Sequence, residues 1–239
     1  MNLQKVTITG ADDKSDPREL AELSAEFPFV EWGILVSKSS EGSRRFPTRK
    51  WINRFCDVAL DHKLQLSTHV CGRWVRQMFV GEVDWMDLPD IIQISQRVQI
   101  NTHAEPHTST TGMIASLGSC DSVGIAKATP REFIFQWDGI NNHLTFAAHA
   151  YGFKVAALFD TSGGAGVLPD VWPGPAKEFW CGYAGGLGPD NVVAQIEKVE
   201  QVCQQPYWID MERRVRVDDD SQLDMSKVRS VLQSATAFV

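Results

Sequence analysis

Polar residues able to do chemistry recur where apolar runs of this chain end. In STHVCGRW, His69 and Cys71 alternate onto one face of an extended segment, with Arg73 just beyond. An imidazole titrates near neutral pH, so His69 could serve as a base. Cys71 could be a nucleophile if His69 lowered its pKa, although the pair could equally be a packed histidine and an inert thiol. Asp160 closes KVAALFD. Asp210 and Glu212 share one face of PYWIDMERRVR, where Arg213 and Arg214 follow and an arginine could reach an anion. NTHAEPH contributes Asn101, His103, Glu105 and His107, and FQWDGIN contributes Gln136 and Asp138. Arg44 and Arg45 lie in SEGSRRFP, while Asp12 and Asp13 follow the first apolar run. His69, His103 and Glu212 can be drawn as a metal site, but nothing in their spacing requires it and no metal is expected. Trp137 and Trp172, near loop starts, could stack on a planar ligand.

The stretch AGGLGPDNV has a different potential. Gly185 and Gly186 allow the backbone to approach an anion closely. Gly188-Pro189 then opens a helix, whose first N–H groups lack internal partners and would point toward a ligand. The bland alternative is a strand–turn–helix corner.

The elements that must hold these residues alternate along the chain. Strand signals occur at 5–10, 29–36, 64–70, 97–104, 131–137, 154–160, 177–186 and 206–211. Helical patterns fall between them, including PRELAELSAEF behind the Asp16-Pro17 cap signal, TRKWINRFCDVALDH, GRWVRQMFVG and NHLTFAAHAYG. A further helix follows PDNVV, and MSKVRSVLQSATAF closes the sequence. Eight strands alternating with helices imply parallel pairing through right-handed crossovers, and the length of 239 residues fits closure into a single α/β domain, a (β/α)8 TIM barrel spanning 1–239. The span 104–130, rich in Ser, Thr and Gly, reads as a long loop or an irregular fourth helix.

Composition narrows the function classes. The net charge of −7 argues against a nucleic-acid or anionic-membrane partner. Five widely spaced cysteines without a CxxC suggest a reduced, cytoplasmic setting. MNLQKVTITGADD lacks the apolar core of a signal peptide, and no apolar run reaches membrane-spanning length. No dinucleotide fingerprint follows a strand, so no cofactor is expected. The expected partner is a small anionic metabolite, with a homodimer left open.

Several motifs together resemble phosphoribosylanthranilate isomerase. That family carries AGGL-T-P-E-N-V after strand 7, where this chain has AGGLGPDNV, and LLDT…GG-S/T-G at strand 6, where this chain has LFDTSGGAG. TITG stands for the family's K-I-C-G at strand 1, LVSKSSEGSRRFPT for its strand-2 ending, and LDMSKVRSVL for its last helix. The resemblance implies a ribulose-phosphate-binding-barrel-like fold, a phosphoribosyl-type substrate and an Amadori-type isomerisation. Asp160 matches the family's general acid, a role that needs a raised pKa; the alternative is an aspartate capping its own loop amides. Thr9 stands where the family's base is a cysteine, so that mechanism cannot transfer intact. Gly164, Gly185 and Gly186 match phosphate-binding glycines, and Arg45 lies in the loop where the family places a substrate-contacting arginine. The strand-8 D-x-S-S-G-V-E is DMERRVR here. The second phosphate arm is therefore either replaced by arginine side chains such as Arg213 or lost, with Glu212 repelling phosphate. His69 or a mouth aspartate would replace the missing base, and Asn101 and Gln136 would contact ligand. The tryptophan-pathway reaction itself is not expected. Two functions remain in competition: an isomerase or lyase moving protons on a small phosphorylated or ribosyl metabolite, and a non-catalytic binder of such a ligand.

Overall fold

The computed structural model describes residues 1–103, 105, 109–122, 130–160 and 163–239. His107, Thr161 and Ser162, which the sequence reading included in candidate motifs, lie outside them. Eight parallel strands close into a barrel in chain order: β1 (Leu3–Thr9), β2 (Val30–Ser37), β3 (Leu66–Cys71), β4 (Arg97–Ile100), β5 (Glu132–Gln136), β6 (Lys154–Phe159), β7 (Trp180–Ala184) and β8 (Tyr207–Met211). Among the described residues no helix is long and apolar enough to cross a membrane.

Helices surround the strands where periodicity and caps require them. Asp16 accepts from the N–H of Arg18 at 3.0 Å and Pro17 occupies the first position of α1 (Pro17–Glu26). Thr48 caps α2 (Arg49–His62). The ring continues with α3 (Arg73–Val80), α4 (Ile91–Ile94), α5 (Thr110–Ser122), α6 (Asn142–Ala150), α7 (Val192–Val202) and α8 (Met225–Ala235). The short α4 and the 3-10 turn Trp85–Asp87 were not foreseen. Nor was a regular α5, because its small residues look like loop. They serve packing instead: a Cβ at Gly112 would fall 2.0 Å from the carbonyl oxygen of Phe79 in α3, so only glycine permits this approach. The Ser116 hydroxyl then donates to the Met78 carbonyl, and the Trp85 indole donates to that of Ser116, both at 3.0 Å.

Alternation along each strand divides the molecule into two interiors. Outward residues such as Ile8, Trp32, Val70, Phe133, Tyr183 and Ile209 pack beneath the helices in the main core. Inward residues fill the barrel, where a separate apolar cluster of Ile134, Ala156, Leu158, Ala184 and Trp208 leaves much of the lining polar.

The barrel floor is an ion network. Arg97 donates from Nη1 to Glu31 at 2.9 Å and from Nε to Glu132 at 2.8 Å. Its guanidinium lies 4.0 Å from the centroid of Trp208 and 4.4 Å from that of Trp180. Burial alone would raise the pKa of Glu31, but Arg97, Lys5 and the Thr7 hydroxyl together hold it below the usual value. Removing one partner of such a pair strands buried charge. Arg97→Met should therefore lower stability by about 3–5 kcal/mol, read from urea unfolding, and a loss below about 1 kcal/mol would contradict this account of the floor.

Candidate functional site

Above the floor, the C-terminal ends of the strands surround a cavity of about 70 Å³. Thr9, His69, Asn101, Gln136, Asp160, Gly164, Gly185, Gly186, Glu212 and Arg213 all line it. The remaining two candidates reach it indirectly. Cys71 accepts from Asn101 Nδ2 at 2.9 Å, and Arg45 pairs with Glu212. Sequence reasoning passed over Gln99 and recorded Asp210 without selecting it, yet both face the cavity. The signal was present, since each stands two positions before a chosen residue, Asn101 or Glu212, on the same strand face.

Asp210 is the distinctive group. Its side chain is buried, and Thr9 Oγ1 donates to its Oδ1 at 2.9 Å. Burial raises its pKa to about 8; the Thr9 hydroxyl opposes this, and the negative charges of Glu212, Glu31 and Asp160 reinforce it. The carboxyl is thus mostly protonated at neutral pH. Glu212 is also raised, because burial outweighs the Arg45 guanidinium. That guanidinium nevertheless compensates the negative charge that would have repelled an anion.

Three expected features meet a different setting in the structure. His69 is buried and its pKa falls to about 4, through desolvation and against the pull of Glu31, so it is a neutral imidazole and a poor base at neutral pH. Cys71 sits where the thiolate is disfavoured. Burial pushes its thiol up to about 12, more than the Asn101 amide can offset, and the neutral His69 supplies no cation to lower it. The N-terminus of α7 does not form the cavity wall. The helix begins at Val192, and the Asn191 side chain bonds Gly188 N–H and the Gly186 carbonyl, each at 2.9 Å. The wall instead consists of Gly164, Gly166, Gly185, Gly186 and Leu187. Gly186 has φ +63°, and a Cβ there would lie 2.7 Å from Leu168 N, so the strand-6 and strand-7 loops meet only because it is glycine.

Asp160 faces the same cavity while accepting from the N–H of Gly164 at 2.7 Å, so it does cap a loop amide. His69 Nε2 and Gln99 Oε1 are buried and find no hydrogen-bond partner among the described residues. At the rim, His103 Nδ1 lies 3.2 Å from Asp138 Oδ2, and the His103 N–H donates to Gln136 Oε1 at 2.8 Å. Among the described residues no three His, Cys, Asp or Glu side chains form a metal-binding group. Trp137 packs on Phe146, Phe159 and Phe179, and Trp172 is buried against Tyr183 with its indole bonded to Gln195, so both are occupied in packing.

No protein-family model and no curated protein matches the chain. Among solved structures it is similar to phospho-2-dehydro-3-deoxyheptonate aldolase (DAHP synthase) from Thermotoga maritima. The TM-score is 0.59 at 12% identity, covering 99% of this chain and 68% of that one. It is also similar to a truncated 3-deoxy-D-arabino-heptulosonate 7-phosphate synthase from the same organism, with TM-score 0.59, 11% identity, and coverage of 99% and 86%. These figures establish the TIM-barrel fold alone. The motif resemblance to phosphoribosylanthranilate isomerase finds support only at that level.

The charge states have a measurable consequence. Asp210 binds its proton more tightly folded than unfolded, so its contribution to stability is lost as pH rises from the ordinary carboxylate range through about 8. His69 acts in the opposite sense, losing stability as pH falls from about 6.5 through about 4. The two windows overlap below about 6.5, where the effects oppose each other; above it the Asp210 effect stands without His69, with Glu212 acting in the same direction. Urea unfolding should show a loss on the order of 2 kcal/mol between pH 6.5 and 8, and Asp210→Asn should remove most of that slope. An equally steep slope in the variant would contradict the assignment.

Proposed function

We propose that the chain is an acid–base enzyme acting on a small phosphorylated metabolite, as an isomerase or lyase that moves a proton between carbon and oxygen. The observation that carries this reading is the Asp210 carboxyl, buried with the Thr9 hydroxyl as its bonded partner and facing the same cavity as Asp160; that burial raises its pKa to about 8 and favours the protonated form at neutral pH. A neutral acid beside a second carboxyl is what proton transfer needs: one group donates while the other accepts. Asp210 gives its proton to a carbonyl or ring oxygen of the ligand, and Asp160 takes the proton from the adjacent carbon. Thr9 holds Asp210 in place through its hydroxyl. The neutral His69 and the Gln99 amide supply hydrogen bonds to the same ligand, which would satisfy their buried, unpartnered atoms. The ligand's anionic group rests on the amides of the Gly185–Gly186 wall. One of the similar barrels is named as the synthase of a 7-phosphate, which is in keeping with a phosphorylated ligand.

This differs from the scheme implied by the motif resemblance. There Asp160 is the acid and strand 1 supplies the base; here the strand-1 residue positions an acid on strand 8. The competing reading, a non-catalytic binder, draws on the loop-capping bond of Asp160 to Gly164. Proton exchange separates the two. In D2O, a panel of aldose and ketose phosphates should include at least one whose carbon-bound hydrogen beside the carbonyl exchanges in the presence of the protein, followed by NMR. Asp210→Asn and Asp160→Asn should each slow that exchange by about 100-fold or more. Binding without exchange across the panel would favour the binder and overturn the enzymatic reading.

A further inference from the structure

The mouth cavity of about 70 Å³ shares part of its wall with a neighbouring groove of about 700 Å³: Arg213 and Arg214 line both.

That groove is strongly basic. Arg44, Arg45, Arg213, Arg214, Arg216 and Lys227 line it, against Asp190, Asp218 and Asp220. Most of these cations have carboxylates. Arg45 pairs with Glu212, Arg214 with Asp190 at 2.7 Å, Lys227 with Asp218 at 3.0 Å, and the buried Arg216 with Asp12 and Asp220 at 2.6 Å each. Arg44 reaches Asp220 only at 3.6 Å, with its side chain 74% exposed. The Arg213 side chain makes no salt bridge or hydrogen bond among the described residues, its charge acting only on neighbouring Glu212, which is already paired with Arg45, and it stands where the groove meets the mouth. Exposed pairs such as Arg214–Asp190 and Arg44–Asp220 contribute little and can re-pair with a ligand. A guanidinium without a partner, flanked by two weakly held ones, suits a phosphoryl group, which accepts paired hydrogen bonds from the guanidinium fork.

We propose that the groove binds a second phosphoryl group of the ligand, so that a bis-phosphorylated metabolite spans from the Gly185–Gly186 wall to Arg213, Arg214 and Arg44. The proposal rests on the phosphorylated-ligand reading above but not on catalysis. Calorimetric titration tests it with fructose 6-phosphate, fructose 1,6-bisphosphate and inorganic pyrophosphate as probes. The bisphosphate should bind at least ten-fold tighter than the monophosphate. Arg213→Gln should remove that gain, Arg44→Gln should reduce it, and Lys198→Gln on the exposed face of α7 should leave it intact. All three replaced side chains are exposed, so folding is expected to persist. Equal affinity for mono- and bisphosphate, or a gain that survives Arg213→Gln, would overturn the proposal. So would pyrophosphate binding as tightly as the bisphosphate, because both phosphoryl groups would then sit in the groove. Repeating the titration with Asp210→Asn separates the two claims: the bisphosphate gain should survive there even if no proton exchange is ever found.

Discussion

A carboxyl sits inside the barrel with only a neutral hydroxyl bonded to it. Thr9 donates to Asp210, and among the described residues no cation is paired with that carboxyl. One layer below, the same interior solves the same problem by the opposite means, with Arg97 shared between Glu31 and Glu132 and covered by two indoles. The floor keeps its carboxylates charged by supplying a cation, whereas the mouth keeps Asp210 uncharged by withholding one. Around this neutral centre the ring of polar groups is consistent: His69 is also held neutral by burial, while the cations Arg45, Arg213 and Arg214 stand farther out. The cations of the mouth therefore stand outside the reacting centre, an arrangement that draws an anion to the rim and leaves a proton donor within.

The strand-1 position shows how the motif resemblance and the geometry bear on each other. The family that the glycine motifs resemble has a cysteine base there. Thr9 cannot be that base, but its hydroxyl reaches across to strand 8, because Thr7 pairs with Asp210 on the adjoining strand and Thr9 stands two residues farther along the same face. Asp210 matches the aspartate of the family's strand-8 motif, so the changed strand-1 residue is bonded to a strand-8 residue that did not change. Likewise, Arg45 from the strand-2 loop meets Glu212 from the altered strand-8 motif, so the carboxylate that looked hostile to an anion is already compensated.

Much of this was legible in the sequence. Parallel strands buried on both faces read as apolar runs, and alternation at their C-terminal ends singled out His69 and Glu212, while Thr9 and Asp160 came from the motif resemblance. Gln99 and Asp210 were not selected because each lies one step deeper, where a polar side chain looks structural. Protonation states were illegible for a different reason. Whether His69 is a base or Cys71 a thiolate depends on burial and on neighbours contributed by other strands, such as Asn101 on Cys71, and sequence spacing does not reveal these. The same limit applied to α5, whose glycine and serines signal loop until their contacts with α3 are known. It applied again to α7, which begins at Val192 and not at Pro189, after a turn that the Asn191 side chain ties together.

The account turns on the protonation state of one side chain, and site-resolved NMR reads it directly. With aspartate labelled at the carboxyl carbon and Asp210→Asn used to assign the resonance, the Asp210 signal should shift with a midpoint near pH 8. A midpoint in the ordinary carboxylate range, about 4, would mean that the group is ionised at neutral pH, and the proton donor on which the mechanism depends would not exist.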